Sequence, residues 1–445
     1  MTDLLPELIE EVVDAPKMGE YESVAGVIAI QAASDTALLL ESLPIAQRLS
    51  TWEMVPKNKR LDVLVHMRGD PRETLIDAID SEDWDGIFSD IEAEQLLELA
   101  DSLPSKLVDR ALVSMDKKQR QYFKDANQYQ DEQIGHWLDH DVLVLPITAK
   151  VRDGLRLIRR GVPHHMDTIF LVNRAGQFTE VVRLDNLFKS PEHVPLVDIS
   201  EERIDVLHAE DDCNSAASVV QNSVFTALPV INENNVLLGR VNIRTACELK
   251  NEYYERQVMA TAGMDEDEDL FSPVRKSAQN RAVWLGINLL TAFLASWFIG
   301  LFEATLQQVV ALAVLMPVVA SMGGIAGSQT LTLMIRGLAL GQVTKSNVMS
   351  LLKKEMRVGG LNGAVWAVVI GIVAWMWFTD PWLGMVIGLA ILLNIVSAAL
   401  AGVVVPVVLD KLKIDPALSG SVILTTVTDI VGFVTFLGLG TLFLL

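Results

Sequence analysis

The residues best placed to do chemistry in this 445-residue chain lie in its last apolar run, Pro416 to Leu445, where Ser421, Thr425 and Asp429 recur at every fourth position. On a helix that spacing puts two hydroxyls and a carboxylate on one face, with Val422, Ile423, Leu424, Val427 and Ile430 on the others. A charged group at the centre of a membrane helix costs roughly 2.5–3.5 kcal/mol on insertion scales, so it normally faces a polar path inside the protein. The stripe suits passage of a cation. For the hydroxyls alone, bonds to carbonyls one turn back or contacts that join helices are the structural alternative.

A second stretch has the same character. Met316-Pro317 is followed by Ser321-Met-Gly-Gly-Ile-Ala-Gly-Ser-Gln329, small residues at membrane depth. Proline removes a helical hydrogen bond and three glycines weaken the helix, so open backbone is expected there, which a bilayer tolerates only against protein or a wet cavity. Close helix packing is the alternative use of Gly323, Gly324 and Gly327. The Gln329 amide favours a lined path.

These residues need a membrane framework, and the composition provides one. Five apolar runs, about 282–302, 307–335, 357–379, 382–409 and 416–445, are each long enough to cross a bilayer. From Ala282 onward seven Lys or Arg and six acids leave a net +1, so the overall −21 places −22 on residues 1–281. That acidic portion repels nucleic acid and anionic lipid and attracts cations. Arg275, Lys276 and Arg281 precede the first run, Arg336, Lys345, Lys353, Lys354 and Arg357 join the second to the third, and Lys411 and Lys413 join the fourth to the fifth. The links near Glu303 to Leu306 and at Asp380-Pro381 carry no Lys or Arg. By the positive-inside rule the soluble portion is cytoplasmic and the C-terminus outside. The acidic start, MTDLLPELIEEVVD, predicts no cleaved signal peptide. Cys213 and Cys247 lack metal-ligand spacing and suit a reducing compartment.

The soluble portion reads as two parts. Up to about residue 130, apolar residues at helical spacing recur, and Leu43-Pro44, Lys57 and Arg60 match Leu103-Pro104, Lys117 and Arg120 at a spacing of 60, which predicts a helical repeat. Further on, Ile169-Phe-Leu-Val-Asn recurs 59 residues later as Leu228-Pro-Val-Ile-Asn, each copy between helical segments. These two βαββα-like units resemble a pair of cystathionine-β-synthase (CBS) modules, which often bind adenosine nucleotides. A connecting helix is expected from Glu248 to about Val274, containing the acidic run Asp265 to Asp269, a solvated joint or a cation sensor. No GxxxxGK[ST] run and no nucleophile-base set occurs, so no enzyme is expected.

The order of parts resembles the MgtE magnesium channel/transporter family. The motifs that carry the likeness are Arg281-x-x-Trp284-Leu285, Pro317 with Gly323-Gly324-x-x-Gly327-x-Gln329, Lys354-Glu355-Met356, and Asp415-Pro416-Ala417 leading to Thr426-x-x-Asp429. The resemblance implies a multidomain membrane protein with four parts: an all-α helical-repeat N domain (1–135), an α/β CBS pair (136–250, modules about 142–197 and 198–250), a plug helix with the acidic tract (251–280), and a five-helix transmembrane domain (281–445). It further implies a homodimer in the inner membrane, in contact with lipid, that moves Mg2+ into the cytoplasm. Asp429, Thr425 and Ser421 would line the pore at the dimer axis, with Gly323, Gly324 and Gln329 on the neighbouring wall. Cytosolic Mg2+ would close it by bridging acids, here Asp83, Asp85, Glu248, Glu252, Glu255, Asp265 and Asp269. An adenosine nucleotide at the CBS pair is part of the same expectation. Two departures stand out: Ile325 replaces a polar Asn, and Arg244 and Thr245 replace an acidic pair. Transport of another divalent ion such as Co2+ or Mn2+, or a non-conducting CBS-containing sensor, are the alternatives.

Overall fold

The computed structural model describes residues 9, 10, 12, 21–201, 203–264, 268 and 270–445, residues 21–24 by backbone alone. The chain forms two compact units. One runs to Glu255 and includes a return segment ending at Pro273; the other holds the segment beginning at Arg256 and Val274–Leu445.

The first unit opens with short helices, and the 60-residue self-match is a repeat of local conformation. Pro44 (φ −53°, ψ 150°) heads the helix Ile45–Met54 and Pro104 (φ −55°, ψ 141°) heads Ser105–Ser114. Proline fits there because no helical N–H is needed at that position. The turn Lys57–Lys59 with the helix Arg60–His66 follows the first, and Lys117–Ala126 follows the second. Leu39, Leu40, Leu43, Leu64, Leu96 and Leu99 make the shared core. Arg48 is fully buried, donating from Nε to the Leu40 carbonyl (2.9 Å) and from Nη2 to that of Glu41 (3.2 Å), which satisfies the open end of the helix Ala33–Glu41.

Two three-stranded sheets follow. In the first, β1 (Val144–Pro146) runs parallel to β2 (Thr168–Val172), which pairs antiparallel with β3 (Phe178–Arg183). The second repeats this with β4 (Leu207–His208), β5 (Ala227–Ile231) and β6 (Leu237–Asn242). Helices Val151–Ile158 and Cys213–Asn222 make the two parallel crossovers. Even the register shift recurs at equivalent places, between Leu171 and Val172 and between Val230 and Ile231.

The connecting helix is shorter than the sequence reading expects. It spans Ile243–Thr261 and stops there, with Gly263 at φ +68° and the Met264 N–H bonded back to the Met259 carbonyl at 3.0 Å. Glycine accepts this left-handed geometry without a Cβ clash, so the helix is capped well before Val274. Asp265 and Asp269 lie outside the described residues.

In the second unit five helices are long and apolar enough to cross a membrane: Val274–Gly300, Val310–Ala339, Val348–Phe378, Pro381–Lys411 and Pro416–Leu444, here spans one to five. Span three starts at Val348, so Lys353, Lys354, Glu355 and Arg357 sit on the helix itself and not in the preceding link. Lys, Glu, Met and Leu are good helix formers, which carries the helix past the apolar stretch. Span two is one continuous helix through Pro317, correcting the expectation of open backbone. Spans three and four meet through small residues: a Cβ added to Gly371 would lie 2.9 Å from the Gly384 carbonyl oxygen, and one on Gly388 2.8 Å from that of Ala367.

Candidate functional site

Span five places Ser421 and Asp429 part-buried and Thr425 exposed along one face, as the four-residue spacing requires. The hydroxyls take the local alternative: Thr425 Oγ1 donates to the Ser421 carbonyl (2.9 Å), Thr426 Oγ1 to Val422 (2.7 Å) and Thr428 Oγ1 to Thr425 (3.0 Å). Each such bond uses the hydroxyl proton and leaves oxygen lone pairs available to a cation or its water. Asp429 differs, having no hydrogen bond or ion pair among the described residues.

The expected wall on span two divides. Gly323 is buried, and a Cβ there would lie 2.2 Å from Asn394 Nδ2 of span four; one on Gly432 of span five would lie 2.6 Å from the same atom. Gly323 is therefore a packing position. Gly324 meets nothing within 4 Å, and its exposed neighbours Ser321 and Ser328 share that open side. Gln329, about 120° around the helix from Gly323, is exposed and borders a space beside span three. Ile325, half-exposed at 56 %, lines that same space.

Asn394 is the residue that sequence reading misses. Fully buried, it donates from Nδ2 to the Val319 carbonyl (2.9 Å) and sits between the two pore-candidate helices. A lone Asn inside a 31-residue apolar helix was the available signal.

The described regulatory candidates, Asp83, Asp85, Glu248, Glu252 and Glu255, lie in the first unit, and the ion pairs described for them are with bases, not other acids. Asp83 pairs with Lys57 (3.3 Å) and Arg60 (3.7 Å), Asp85 with Arg110 (2.6 Å), Glu248 with Arg244 (2.9 Å) and Glu255 with Arg68 (3.1 Å). Glu252 is engaged as well. The hydrogen bond from Arg110 holds the Asp85 carboxyl below its ordinary range. Among the described residues no group of three or more His, Cys, Asp or Glu gathers where a metal could sit.

Elsewhere in this unit, the Glu94 carboxyl accepts from the His140 N–H (3.1 Å). Loss of solvent, then the nearby Asp139 charge, pushes Glu94 up to about 7. Asp139 in turn is paired with buried Arg240 at 2.6 Å, and the His140 ring stacks on Tyr122 at 3.7 Å.

Five membrane-length helices, the last carrying a carboxylate with no partner among the described residues, following a helical repeat and two β-α-β-β modules, define a polytopic membrane protein of the transport class. A family model described as a divalent cation transporter matches residues 316–439, and one described as the MgtE intracellular N domain matches residues 32–132. The chain belongs to the MgtE family. It is 24 % identical over 444 residues to a magnesium transporter MgtE of Bacillus subtilis, with 98 % of each chain covered. It is 26 % identical to that of Thermus thermophilus, with 74 % of each covered. Among solved structures, the CBS pair domain of a Shewanella oneidensis protein is 36 % identical, covering 38 % of this chain and 98 % of that one at a TM-score of 0.34. The cytosolic domain of the Mg2+ channel MgtE in complex with ATP is 18 % identical, covering 54 % and 99 % at a TM-score of 0.47.

Proposed function

We propose that this chain is a homodimeric Mg2+ channel or transporter of the inner membrane, with its soluble unit cytoplasmic and its C-terminus outside, passing the ion inward down its electrochemical gradient. The observation that carries the reading is Asp429, a part-buried carboxylate with no partner among the described residues, in line with Thr425 and Ser421 on a membrane-length helix. Mg2+ sheds water reluctantly and prefers octahedral oxygen coordination. Two Asp429 carboxylates facing each other across a twofold axis would hold a largely hydrated ion firmly enough to select it and loosely enough to release it. Gly324, with open space over its backbone, belongs to the same pathway. The names of the relatives, magnesium transporters throughout, support the choice of ion.

Gating by cytosolic Mg2+ is the finer part of the reading. In the conformation described, Arg68, Arg110 and Arg244 occupy the acids that would bridge the ion, so closure by Mg2+ requires the ion to displace them. An adenosine nucleotide at the paired β-α-β-β modules completes the reading. Transport of another divalent ion, Co2+ or Mn2+, is the alternative; the family resemblance expects a polar residue at position 325, but Ile325 borders the space beside span three and not the open side of Gly324.

The test is Mg2+ uptake into proteoliposomes. The wild type is expected to conduct, Asp429→Ala to conduct nothing while remaining in the membrane, and Co2+ or Mn2+ to compete poorly. Uptake by Asp429→Ala at the wild-type rate removes that residue from the pathway; no flux in the wild type leaves the sensor reading.

A further inference from the structure

Span five carries two parallel series of side chains. Gly420, Leu424, Thr428, Gly432 and Phe436 recur at every fourth position and are all buried, so they form the stripe by which the helix packs into its unit. Ser421, Thr425, Asp429 and Phe433 each follow a member of that series by one residue, which holds the second series about 100° around the helix from the first along its whole length. Phe433 is therefore the next member of the carboxylate's stripe, about 6 Å further along the axis than Asp429.

Its chemistry breaks the pattern. Three polar side chains are followed by an aromatic ring, and beyond the ring the stripe ends, because Leu437, four residues on, is fully buried in the apolar core beside Phe436. Phe433 itself is only part-buried and, among the described residues, belongs to neither apolar cluster of this unit. Its depth is fixed by Asn394. A Cβ on Gly323 or on Gly432 would collide with that amide, so the two glycines lie at one level. Phe433 adjoins Gly432, and Gly324, with nothing within 4 Å of its Cβ position, adjoins Gly323. The bulkiest side chain of the stripe thus stands at the level where span two presents two glycines. Mg2+ gives up water reluctantly, and an apolar ring offers no oxygen to replace it. Apolar constrictions in pores act by excluding water, which raises the barrier to a hydrated ion.

We propose that Phe433 sets the rate of the cation passage: with its copy from a second subunit it forms an apolar collar on the outer side of Asp429, which a hydrated divalent cation must cross before the carboxylates take it. The inference rests on the reading that the Asp429 stripe lines the passage in a homodimer.

The experiment is Mg2+ uptake into proteoliposomes holding the full-length protein, with the thermal midpoint of each variant in detergent measured beside it. Phe433→Ala and Phe433→Ser open the collar and should raise the maximal rate several-fold. Phe433→Trp narrows it and should lower the rate several-fold, while Phe433→Leu, apolar and still bulky, should stay near the wild type. The half-saturating Mg2+ concentration should move little in all four, because Asp429 is unchanged. A ring that only packs would instead give Phe433→Ala a lower midpoint and a lower rate together, and that result overturns the proposal. So does a maximal rate that neither Phe433→Ala nor Phe433→Trp moves. If Phe433→Ala does not reach the membrane, Phe433→Leu and Phe433→Trp decide, and equal rates in those two overturn the collar. Asp429→Ala separates this inference from the reading beneath it: uptake that is lost in Asp429→Ala but indifferent to Phe433 ends the collar alone, whereas wild-type uptake in Asp429→Ala, or none in the wild type, ends both.

Discussion

The two halves of the molecule treat negative charge in opposite ways. In the soluble unit, Asp83, Asp85, Glu248 and Glu255 each lie against a lysine or arginine, although water is at hand to solvate them. In the membrane unit, where an unpaired charge is expensive, Asp429 has no partner among the described residues. Glu355, the one acid buried in a span among the described residues, is matched on both oxygens. Pairing is available to a buried acid near the end of a span, and Asp429, in the middle of one, goes without it among the described residues. On the proposed reading, the cost of that unpaired charge is kept for the ion Asp429 binds.

The sharpest way to break that contrast is Asp429→Asn, which keeps the shape and removes the charge. Ion uptake should collapse, while stability in detergent should rise by up to about 2.5–3.5 kcal/mol because the insertion cost disappears. Thermal unfolding beside a flux assay reads both, and a loss of stability would show that Asp429 is a structural residue. Next in size, Gly323→Ala puts a methyl onto the Asn394 amide and should cost about 1–3 kcal/mol as an overpacked core. The double change Gly323→Ala/Asn394→Ala should recover part of that loss, measured as a coupling energy in the same unfolding assay.

The soluble half makes a pH prediction. Glu94 has a folded pKa near 7 against an unfolded value of about 4.5, so the folded state holds the extra proton between them. Its contribution is complete below about pH 4.5 and is lost as pH rises through about 7. Lysed-cell acidity is not needed to see it: the isolated wild-type protein should melt about 2–4 °C lower at pH 8 than at pH 6, and Glu94→Gln should flatten that slope. Around Glu94 stand Asp139, Arg240, Glu92 and His140, and His140 works in the opposite sense. Its pKa is lowered by burial, so acid disfavours its fold, and the Gln variant isolates that residual trend. The smallest effect belongs to the exposed pairs. Arg68→Gln should change stability by only about 0–1 kcal/mol, read by denaturant titration.

Much of this was legible in the chain. The five spans announce themselves by length and hydropathy, and the 59- and 60-residue self-matches correspond to repeated strands and repeated proline-headed helices. The stripe of Ser421, Thr425 and Asp429 follows from helical period alone. What stayed hidden was non-local. Nothing near Asp85 points to Arg110, 25 residues on, and nothing near Asn394 points to Gly323 or Gly432 until folding brings three helices together. Lys354 and Glu355 were visible as a motif, yet an apolar window ends before them, so their place on the third span was lost. The connecting helix was read too long because the stop signal, Gly263, acts through one backbone angle and not through composition.

Asn394 has a mechanical consequence. Its side chain fills the notch left by Gly323 on one side and by Gly432 on the other, so neither neighbouring helix can turn about its own axis without driving a bulkier position onto the amide. Spans two, four and five are thereby geared together and must travel as a block. On the proposed reading, any change of bore then has to come from that block moving against something outside it, not from the fifth helix swivelling alone.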